Sequence, residues 1–271
     1  MLTDETLKQK IYQANISVHR QEVQYYELLH PEVYGKKEQK RITEKLKMID
    51  AFVEVNQKHA LDVGAGTGNL TGKLLQMDYQ VTAVDISPEM CAILQRKYES
   101  YLKAEKLTVI NSPIEDLSFD EGKFDLITCY SALHHMPDYI FALRCFSALL
   151  KKGGVIYIDH EASPFYWKTE SSSLASLIKN LYFHSIPIFN SLYFQIVGLR
   201  VPVIDYSLSD YWHKKEHALN HKGLEDIFKQ EGYDYFKRTD YYQNSTWLWN
   251  PLSLIYRLVG KPEMSFWIAK K

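Results

Sequence analysis

Three glycines at alternating positions, Gly64, Gly66 and Gly68, form the stretch of this sequence with the clearest chemical meaning. An apolar run at residues 59–63 precedes them and a new apolar pattern follows, which predicts a buried strand, a tight turn and a helix. Glycine lets the backbone approach a ligand closely, and the helix N-terminus offers unpaired N–H groups and a positive dipole end. The turn therefore predicts a site for a nucleotide-type or carboxylate-bearing cofactor.

A second chemically informative group is Asp85, which ends the next predicted strand. A carboxylate at that point can accept hydrogen bonds from both hydroxyls of a ribose. Ser87 and Pro88 follow as the N-cap and first residue of a helix. The glycine pattern is G-x-G-x-G, not the G-x-G-x-x-G of dinucleotide-binding turns, and no Lys-Ser/Thr pair marks a phosphate-binding loop.

Ionisable residues follow two later predicted strands: His134 and His135 after the fourth, and Asp159, His160 and Glu161 at the end of the fifth. The carboxyl ends of parallel strands border the ligand-binding crevice of an open α/β sheet. An imidazole there can accept a proton from a hydroxyl, which makes His134 and His160 the candidate bases. Strand alternation predicts His160 on one face and its two acidic neighbours on the other. Helix capping, packing and ordinary end-of-strand polarity remain alternative roles.

The elements that position these groups can also be read from the apolar patterns. Strands are predicted at residues 59–63, 80–85, 107–111, 124–130, 155–159, 233–238 and 264–270. Helices are predicted over residues 5–55, with a break at 30–35, and over 69–77, 138–150 and 222–230. The fold class is therefore α/β, a doubly wound, mostly parallel seven-stranded sheet with N-terminal helices and a helical lid insertion.

The run L-D-V-G-A-G-T-G at residues 61–68, followed by Asp85, resembles the first motifs of class I S-adenosylmethionine-dependent methyltransferases of the small-molecule type. The resemblance implies a Rossmann-like fold, S-adenosylmethionine as cofactor and S-adenosylhomocysteine as product. Pro113 stands where the family usually has an acidic residue, so the adenine contact passes to Ile114 or Glu115. The implied cofactor-binding residues are Tyr26, Asp62, Gly64, Ala65, Gly66, Gly68, Asp85, Ile86, Met90, Ile114, Glu115 and Tyr130.

Within that resemblance, we expect O-methylation of a small acceptor with a histidine as base; S- and N-methylation remain alternatives. Two other classes are a cofactor-binding protein without catalysis and an NAD-dependent oxidoreductase, which the glycine spacing disfavours. No metal site is predicted, because ligands at consecutive positions 159–161 converge poorly. The stripe His213, His217 and His221 would spread about 12 Å along a helix, too far for one ion.

Composition limits the partners. The formal net charge is −1, which offers no attraction to nucleic acid, and the three cysteines are widely spaced in apolar patterns typical of buried thiols in a reducing compartment. The first residues lack the basic and apolar regions of a signal peptide, so a cytoplasmic location is expected.

Residues 163–221 are rich in aromatic side chains but too often interrupted by polar residues to span a membrane. We interpret them as a lid that selects an apolar or aromatic acceptor, with an accessory helical layer or a homodimer interface as alternatives. The expected organisation is an N-terminal helical segment at 1–55, a methyltransferase core at 56–162 and 222–271, and the insertion between the two core parts.

Overall fold

A computed structural model of the chain contains a seven-stranded sheet flanked by helices. It describes residues 5–53, 55, 57–167, 174, 176–181, 204–214, 218–243, 255–258 and 260–271. The strands are β1 (Lys58–Val63), β2 (Tyr79–Asp85), β3 (Leu107–Asn111), β4 (Phe124–Tyr130), β5 (Leu150–Ala162), β6 (Tyr235–Tyr241) and β7 (Met264–Lys270). The helices are α1 (Glu5–Glu22), α2 (Tyr26–Leu29), α3 (Pro31–Tyr34), α4 (Lys36–Asp50), α5 (Asn69–Gln76), α6 (Pro88–Lys97), α7 (Glu99–Lys103), α8 (Tyr139–Leu149) and α9 (His221–Gln230).

The strand order is β3-β2-β1-β4-β5-β7-β6. Strands β1 to β5 pair in parallel, and β7 runs antiparallel to both of its neighbours. The order reverses between β1 and β4, which is the switch point where open α/β sheets bind ligands. Val63 of β1 lies beside Val84 of β2 and Cys129 of β4, so these strands end level and deliver their following turns to one edge. The predicted fold class is confirmed.

The central strands of the sheet are buried on both faces because helices cover each side, whereas the edge strands β3 and β6 are partly exposed. All seven residues of β4 are buried, as expected of a central parallel strand. Its consecutive residues Leu126 and Ile127 belong to different apolar clusters. One cluster includes residues of α8 and α9, and the other includes residues of α4 and α5.

The N-terminal region contains the two predicted helices, α1 and α4, with the single turns α2 and α3 between them. Pro31 opens α3 and restricts the residue before it, so His30 has non-helical angles (φ −114°, ψ 60°) and the chain cannot continue straight. The buried residues of α1 include Asn15 and Glu22 as well as apolar side chains. Polar side chains on a buried helix face need hydrogen-bond partners, which Asn15 finds in the His135 carbonyl and Glu22 in the Tyr206 hydroxyl.

Strand β5 is longer than predicted, because residues 150–154 extend the ladder instead of ending a helix. Its register with β7 shifts between Ile158 and Glu161, and His160 has a φ of 62°. A bulge of this kind re-aims side chains. The expectation that Asp159 and Glu161 share a face is therefore wrong: the first contacts Arg41 of α4 and the second contacts His134.

The predicted lid falls largely on residues 168–173, 175, 182–203 and 215–217, which lie outside the described residues. Residues 204–214, one of the described parts of that region, pack beside the loop after β4, where Trp212 Nε1 donates to the Met136 carbonyl at 2.9 Å. In the described ranges, no helix combines the length and apolar character that crossing a membrane requires.

Candidate active site

The three glycines of the turn after β1 all have positive φ, at 67°, 53° and 89° for Gly64, Gly66 and Gly68. A Cβ at Gly64 would lie 2.3 Å from Ala132 Cβ, and one at Gly68 would lie 2.6 Å from the Tyr98 ring. A Cβ at Gly66 would meet nothing within 4 Å. Gly64 and Gly68 thus allow close packing, whereas Gly66 leaves space at a cavity wall.

Asp85 joins this turn to the end of β2. Its Oδ2 accepts from the Gly66 N–H and its Oδ1 from the Ser87 N–H, both at 2.8 Å. Ser87 caps α6 by accepting from the Met90 N–H at 3.3 Å, as predicted. Each carboxylate oxygen has a second lone pair, so Asp85 can hold the turn and still accept from a ligand.

These groups border a cavity of about 650 Å³, which we call the cofactor cavity. Its walls are Tyr12, Asn15, His19, Tyr26, Val63, Gly64, Gly66, Val84, Asp85, Ile86, Ser112, Pro113, Ile114, Glu115, Tyr130, Ser131, Ala132, His135 and Met136. The sequence-predicted cofactor residues among them are Tyr26, Gly64, Gly66, Asp85, Ile86, Ile114, Glu115 and Tyr130. Most of the predicted set is therefore brought together around one space.

Asp62, Ala65, Gly68 and Met90 do not line this cavity. Asp62 accepts from Thr71 Oγ1 at 2.6 Å and Thr128 Oγ1 at 2.8 Å, and burial raises the pKa of its carboxyl to about 6. It ties β1 to its neighbours behind the turn. Ala65 is buried in the core, and Met90 is fully buried. The sequence places both side chains at the cofactor, but neither borders the cavity.

The floor of the cavity contains an unpaired acceptor. Glu115 Oε1 is buried and has no hydrogen-bond partner among the described residues, although the Tyr12 hydroxyl interacts with the same carboxyl group, and burial raises the pKa of this carboxyl. Ile114 and Ile86 supply apolar surface beside it. This part of the cavity can hold a flat ring that carries a hydrogen-bond donor.

Helix α1 contributes three wall residues that sequence reasoning missed: Tyr12, Asn15 and His19. Asn15 Nδ2 donates to the carbonyl of Ile11 at 2.9 Å and to that of His135 at 3.2 Å, so it links α1 to the loop after β4. The available signal was a polar residue on the apolar face of α1. That pattern alone does not say which loop the helix covers.

A second cavity of about 740 Å³ adjoins the first, and we call it the polar cavity. Tyr26, Ser131 and His135 line both. The other residues of the polar cavity are Glu22, His30, Glu32, Val33, His134, His160, Tyr166, Tyr206, Asp210, His213, Gln243 and Met264. The described lining thus combines tyrosine rings with many ionisable groups, whereas an apolar acceptor site was predicted.

Both sequence-predicted bases line the polar cavity. Glu161 accepts from His134 Nδ1 at 2.7 Å and from the Leu133 N–H at 2.9 Å. Burial lowers the pKa of His134 well below its usual value and raises that of Glu161 to about 7. The His134 imidazole is therefore neutral at neutral pH, with Nε2 free of the Glu161 contact.

His160 stacks on Tyr130, with ring centroids 5.2 Å apart. Its Nδ1 lies 3.3 Å from the Tyr241 hydroxyl, which donates to Asp159 Oδ1 at 2.9 Å. Arg41 Nη2 donates to Asp159 Oδ2 at 2.7 Å. Because the tyrosine hydrogen is directed at Asp159, the tyrosine oxygen accepts from His160 Nδ1 and leaves Nε2 as the imidazole acceptor.

The predicted histidine stripe is not a helix face in the described residues. His213 lies before α9 and contacts the His134 ring edge-on at 5.2 Å, while His221 begins α9 and stacks on Trp267. His217 lies outside the described residues. Burial lowers the pKa of His213 to about 4, so it also adds a neutral ring to the polar cavity.

Comparison with known proteins agrees with this geometry. Residues 61–158 match the family model described as a methyltransferase domain. A ubiquinone biosynthesis O-methyltransferase of Xanthomonas campestris pv. campestris is 32% identical over 117 residues, which are 42% of this chain and 48% of that protein. The chain thus spans about half the length of this curated relative.

Solved structures give the same fold at low identity. A phosphoethanolamine N-methyltransferase 2 of Haemonchus contortus aligns over 95% of this chain and 60% of its own, with a TM-score of 0.58 and 14% identity. An S-adenosylmethionine-dependent methyltransferase of Archaeoglobus fulgidus aligns over 91% of this chain and all of its own, with a TM-score of 0.54 and 15% identity.

The domain match begins within β1, covers the glycine turn, Asp85 and β4, and ends within β5. It confirms the family and the cofactor that were predicted from these motifs, and the structural neighbours confirm the fold. Residues 61–158 thus carry a methyltransferase domain, and the sheet that contains them has the fold of solved S-adenosylmethionine-dependent methyltransferases.

Proposed function

We propose that this protein transfers a methyl group from S-adenosylmethionine to a hydroxyl of a small molecule. The observation that carries the proposal is the meeting of two cavities at Tyr26, Ser131 and His135. One cavity has the glycine turn and Asp85, and the other has histidines and carboxylates. This arrangement supports a donor site opening directly onto an acceptor site.

The cofactor cavity fits S-adenosylmethionine on three observations. Gly66 leaves the wall open where a Cβ would intrude. Asp85 retains lone pairs for ribose hydroxyls, and Glu115 Oε1 is a buried acceptor without a described partner, suited to an amino group on adenine. The cofactor brings an activated methyl group, so the chain mainly has to align the acceptor and exclude water.

We assign the general base to His160. Its Nδ1 is engaged by Tyr241, which Asp159 and Arg41 hold in place, and its Nε2 is left to accept a proton in the polar cavity. His134 is the weaker base because burial lowers its pKa well below the usual value. The acceptor hydroxyl would lose its proton to His160 as its oxygen bonds to the methyl carbon, and the bond from that carbon to the cofactor's sulfonium sulfur would break to leave neutral S-adenosylhomocysteine.

The described lining favours an acceptor that has a polar reacting end. The rings of Tyr166 and Tyr206 also line the cavity and offer apolar surface for an aromatic or alkyl portion of the acceptor, in line with the aromatic-rich sequence of this region. The net charge of −1 gives no support to a nucleic-acid acceptor.

N-methylation is a second candidate, supported by a specific observation. Glu22, Glu32 and Asp210 place three carboxylates around the polar cavity, where they would attract an amine. An amine acceptor would need His160 only to remove a proton from the ammonium form.

The experiment is a methyl-transfer assay with labelled S-adenosylmethionine against matched pairs of small phenols, catechols, aliphatic alcohols and amines. We expect turnover of hydroxyl compounds that falls at least about 100-fold in His160→Gln, with S-adenosylhomocysteine affinity unchanged. If the enzyme prefers the amine of each pair, the proposed O-methylation is wrong and N-methylation takes its place. Binding of S-adenosylhomocysteine without turnover of any acceptor would favour a non-catalytic cofactor-binding protein, and binding of NAD instead would refute the cofactor assignment.

A further inference from the structure

His134, His135 and Asp210 form a compact group at the boundary of the two cavities. One ligating atom from each side chain lies within 4.8 Å of the other two. Ligands bound to one Zn²⁺ at about 2.0–2.1 Å in a tetrahedron are about 3.4 Å apart, so small side-chain movements would close this group on an ion. Two imidazoles and one carboxylate form a ligand set that suits divalent transition ions.

The surroundings of both histidines match the second requirement of a metal site. Metal-binding histidines usually donate their remaining N–H to a carboxylate or a backbone carbonyl. Glu161 accepts from His134 Nδ1 at 2.7 Å, and the Ser209 carbonyl accepts from His135 Nδ1 at 3.0 Å. Both Nε2 atoms therefore retain a lone pair, although His135 Nδ1 also lies 3.5 Å from Asp210 Oδ1, so a small ring rotation would have to bring its Nε2 to the ion.

The position of the group gives it a chemical context. His135 lines the cofactor cavity as well as the polar cavity, whereas His134 and Asp210 line the polar cavity alone. Asp210 belongs to residues 204–214, so an ion here would fasten that segment to the loop after β4. The sequence offered no sign of this group, since the metal candidates in it were residues 159–161 and the 213–221 stripe, and Asp210 is distant in sequence from the two histidines.

We propose that His134, His135 and Asp210 bind one divalent transition metal ion, with Glu161 and the Ser209 carbonyl orienting the two histidines. Three protein ligands leave coordination positions open towards the polar cavity, where an acceptor oxygen can bind and have its pKa lowered. That catalytic use rests on the proposed function, whereas the binding of the ion does not.

The test is titration of chelator-treated protein with Zn²⁺ by calorimetry, repeated with Co²⁺ so that its visible absorption reports the ligand geometry. We expect one tight Zn²⁺ site per chain. Its affinity should fall at least about 100-fold in His134→Ala and Asp210→Ala and about 10–100-fold in Glu161→Gln. His59→Ala is the matched control, since His59 lies in β1 near the amino end of that strand, and it should bind Zn²⁺ like the wild type.

Circular dichroism and S-adenosylhomocysteine binding show whether each variant is folded. If a variant does not fold, the wild-type protein still decides the matter. Zn²⁺ should raise its melting temperature and that of His59→Ala, and Co²⁺ should give absorption bands of a site with nitrogen and oxygen ligands. The proposal would be overturned if the wild type had no tight Zn²⁺ site, or if folded His134→Ala and Asp210→Ala bound Zn²⁺ as tightly as the wild type. Because these readouts do not use methyl transfer, failure of the metal site and failure of the proposed activity remain distinguishable.

Discussion

Single alanine substitutions at Gly64, Gly66 and Gly68 should separate fold from cofactor binding within one turn. All three positions have positive φ, so an alanine at any of them costs roughly 1–2 kcal/mol of backbone strain. At Gly66 the new methyl group meets nothing within 4 Å, so strain is the whole stability cost. The methyl group then projects into the cofactor cavity.

At the other two positions the methyl group also collides with neighbours. Its distance would be 2.3 Å to Ala132 Cβ from Gly64 and 2.6 Å to the Tyr98 ring from Gly68. Overpacking of this kind typically costs about 1–3 kcal/mol more. We therefore expect unfolding free energies to fall by roughly 1–2 kcal/mol in Gly66→Ala and by about 2–5 kcal/mol in Gly64→Ala, with Gly68→Ala between them because a side chain can move aside.

Two assays measure the two effects. Urea unfolding without cofactor gives the stability of each variant, and calorimetry with S-adenosylhomocysteine gives the affinity of the folded protein. We expect Gly66→Ala to be the most stable of the three and yet to bind at least about tenfold more weakly than wild type, a loss of about 1.4 kcal/mol. Wild-type affinity in Gly66→Ala, within a factor of about two, would refute the placement of the cofactor against this turn.

Three further results are expected. Asp85→Ala should weaken S-adenosylhomocysteine binding at least about tenfold in calorimetry, because a charged acceptor is worth roughly 1.5–3 kcal/mol; an unchanged affinity would contradict ribose recognition. Although burial opposes it, hydrogen bonds to Glu22 and Glu32 raise the pKa of His30 to about 10. The protonated His30 therefore contributes its full stabilisation below about pH 6.5 and loses it as the pH rises through 10. Between pH 7 and 9 the free energy of unfolding in urea should fall more steeply in wild type than in His30→Gln, by up to about 1.4 kcal/mol per pH unit. The same slope in both proteins would contradict a raised pKa of His30. Asn15→Leu should lower S-adenosylhomocysteine affinity severalfold, because the link from α1 to the His135 carbonyl is lost; an effect on stability alone would make Asn15 purely structural.

The sheet and the cofactor turn could be predicted from sequence because both depend on local patterns. Apolar runs of strand length located β1 to β4 within a residue or two. The glycine spacing located the turn, and Asp85 was assigned correctly to its edge because one βα unit separates it from that turn. What local pattern could not supply was the direction of each side chain, so Asp62 and Met90 were placed at a cavity that they do not line.

Apart from His134 and His160, the lining of the polar cavity could not be predicted from sequence for a different reason: its walls come from segments far apart in the chain. Glu22 and His30 precede β1, and His134 follows β4. Asp210 belongs to residues 204–214, whose packing beside the loop after β4 was not predicted. Nothing in the spacing of these residues relates one to another. Only the packing of α1 and residues 204–214 on the same edge of the sheet brings them together.

The bulge in β5 explains how one strand end can serve both halves of the site. In a regular strand Asp159 and Glu161 would point to the same side. With His160 at a φ of 62° and the register shifted, Asp159 instead contacts Arg41 and Tyr241, while Glu161 contacts His134. A left-handed conformation at a residue other than glycine costs roughly 1–3 kcal/mol and persists where the surroundings over-determine it. Here the surroundings are two buried carboxylate networks, each holding a different histidine towards the polar cavity. Relaxing the bulge would break at least one of them, so its strain is coupled directly to the positions of His134 and His160.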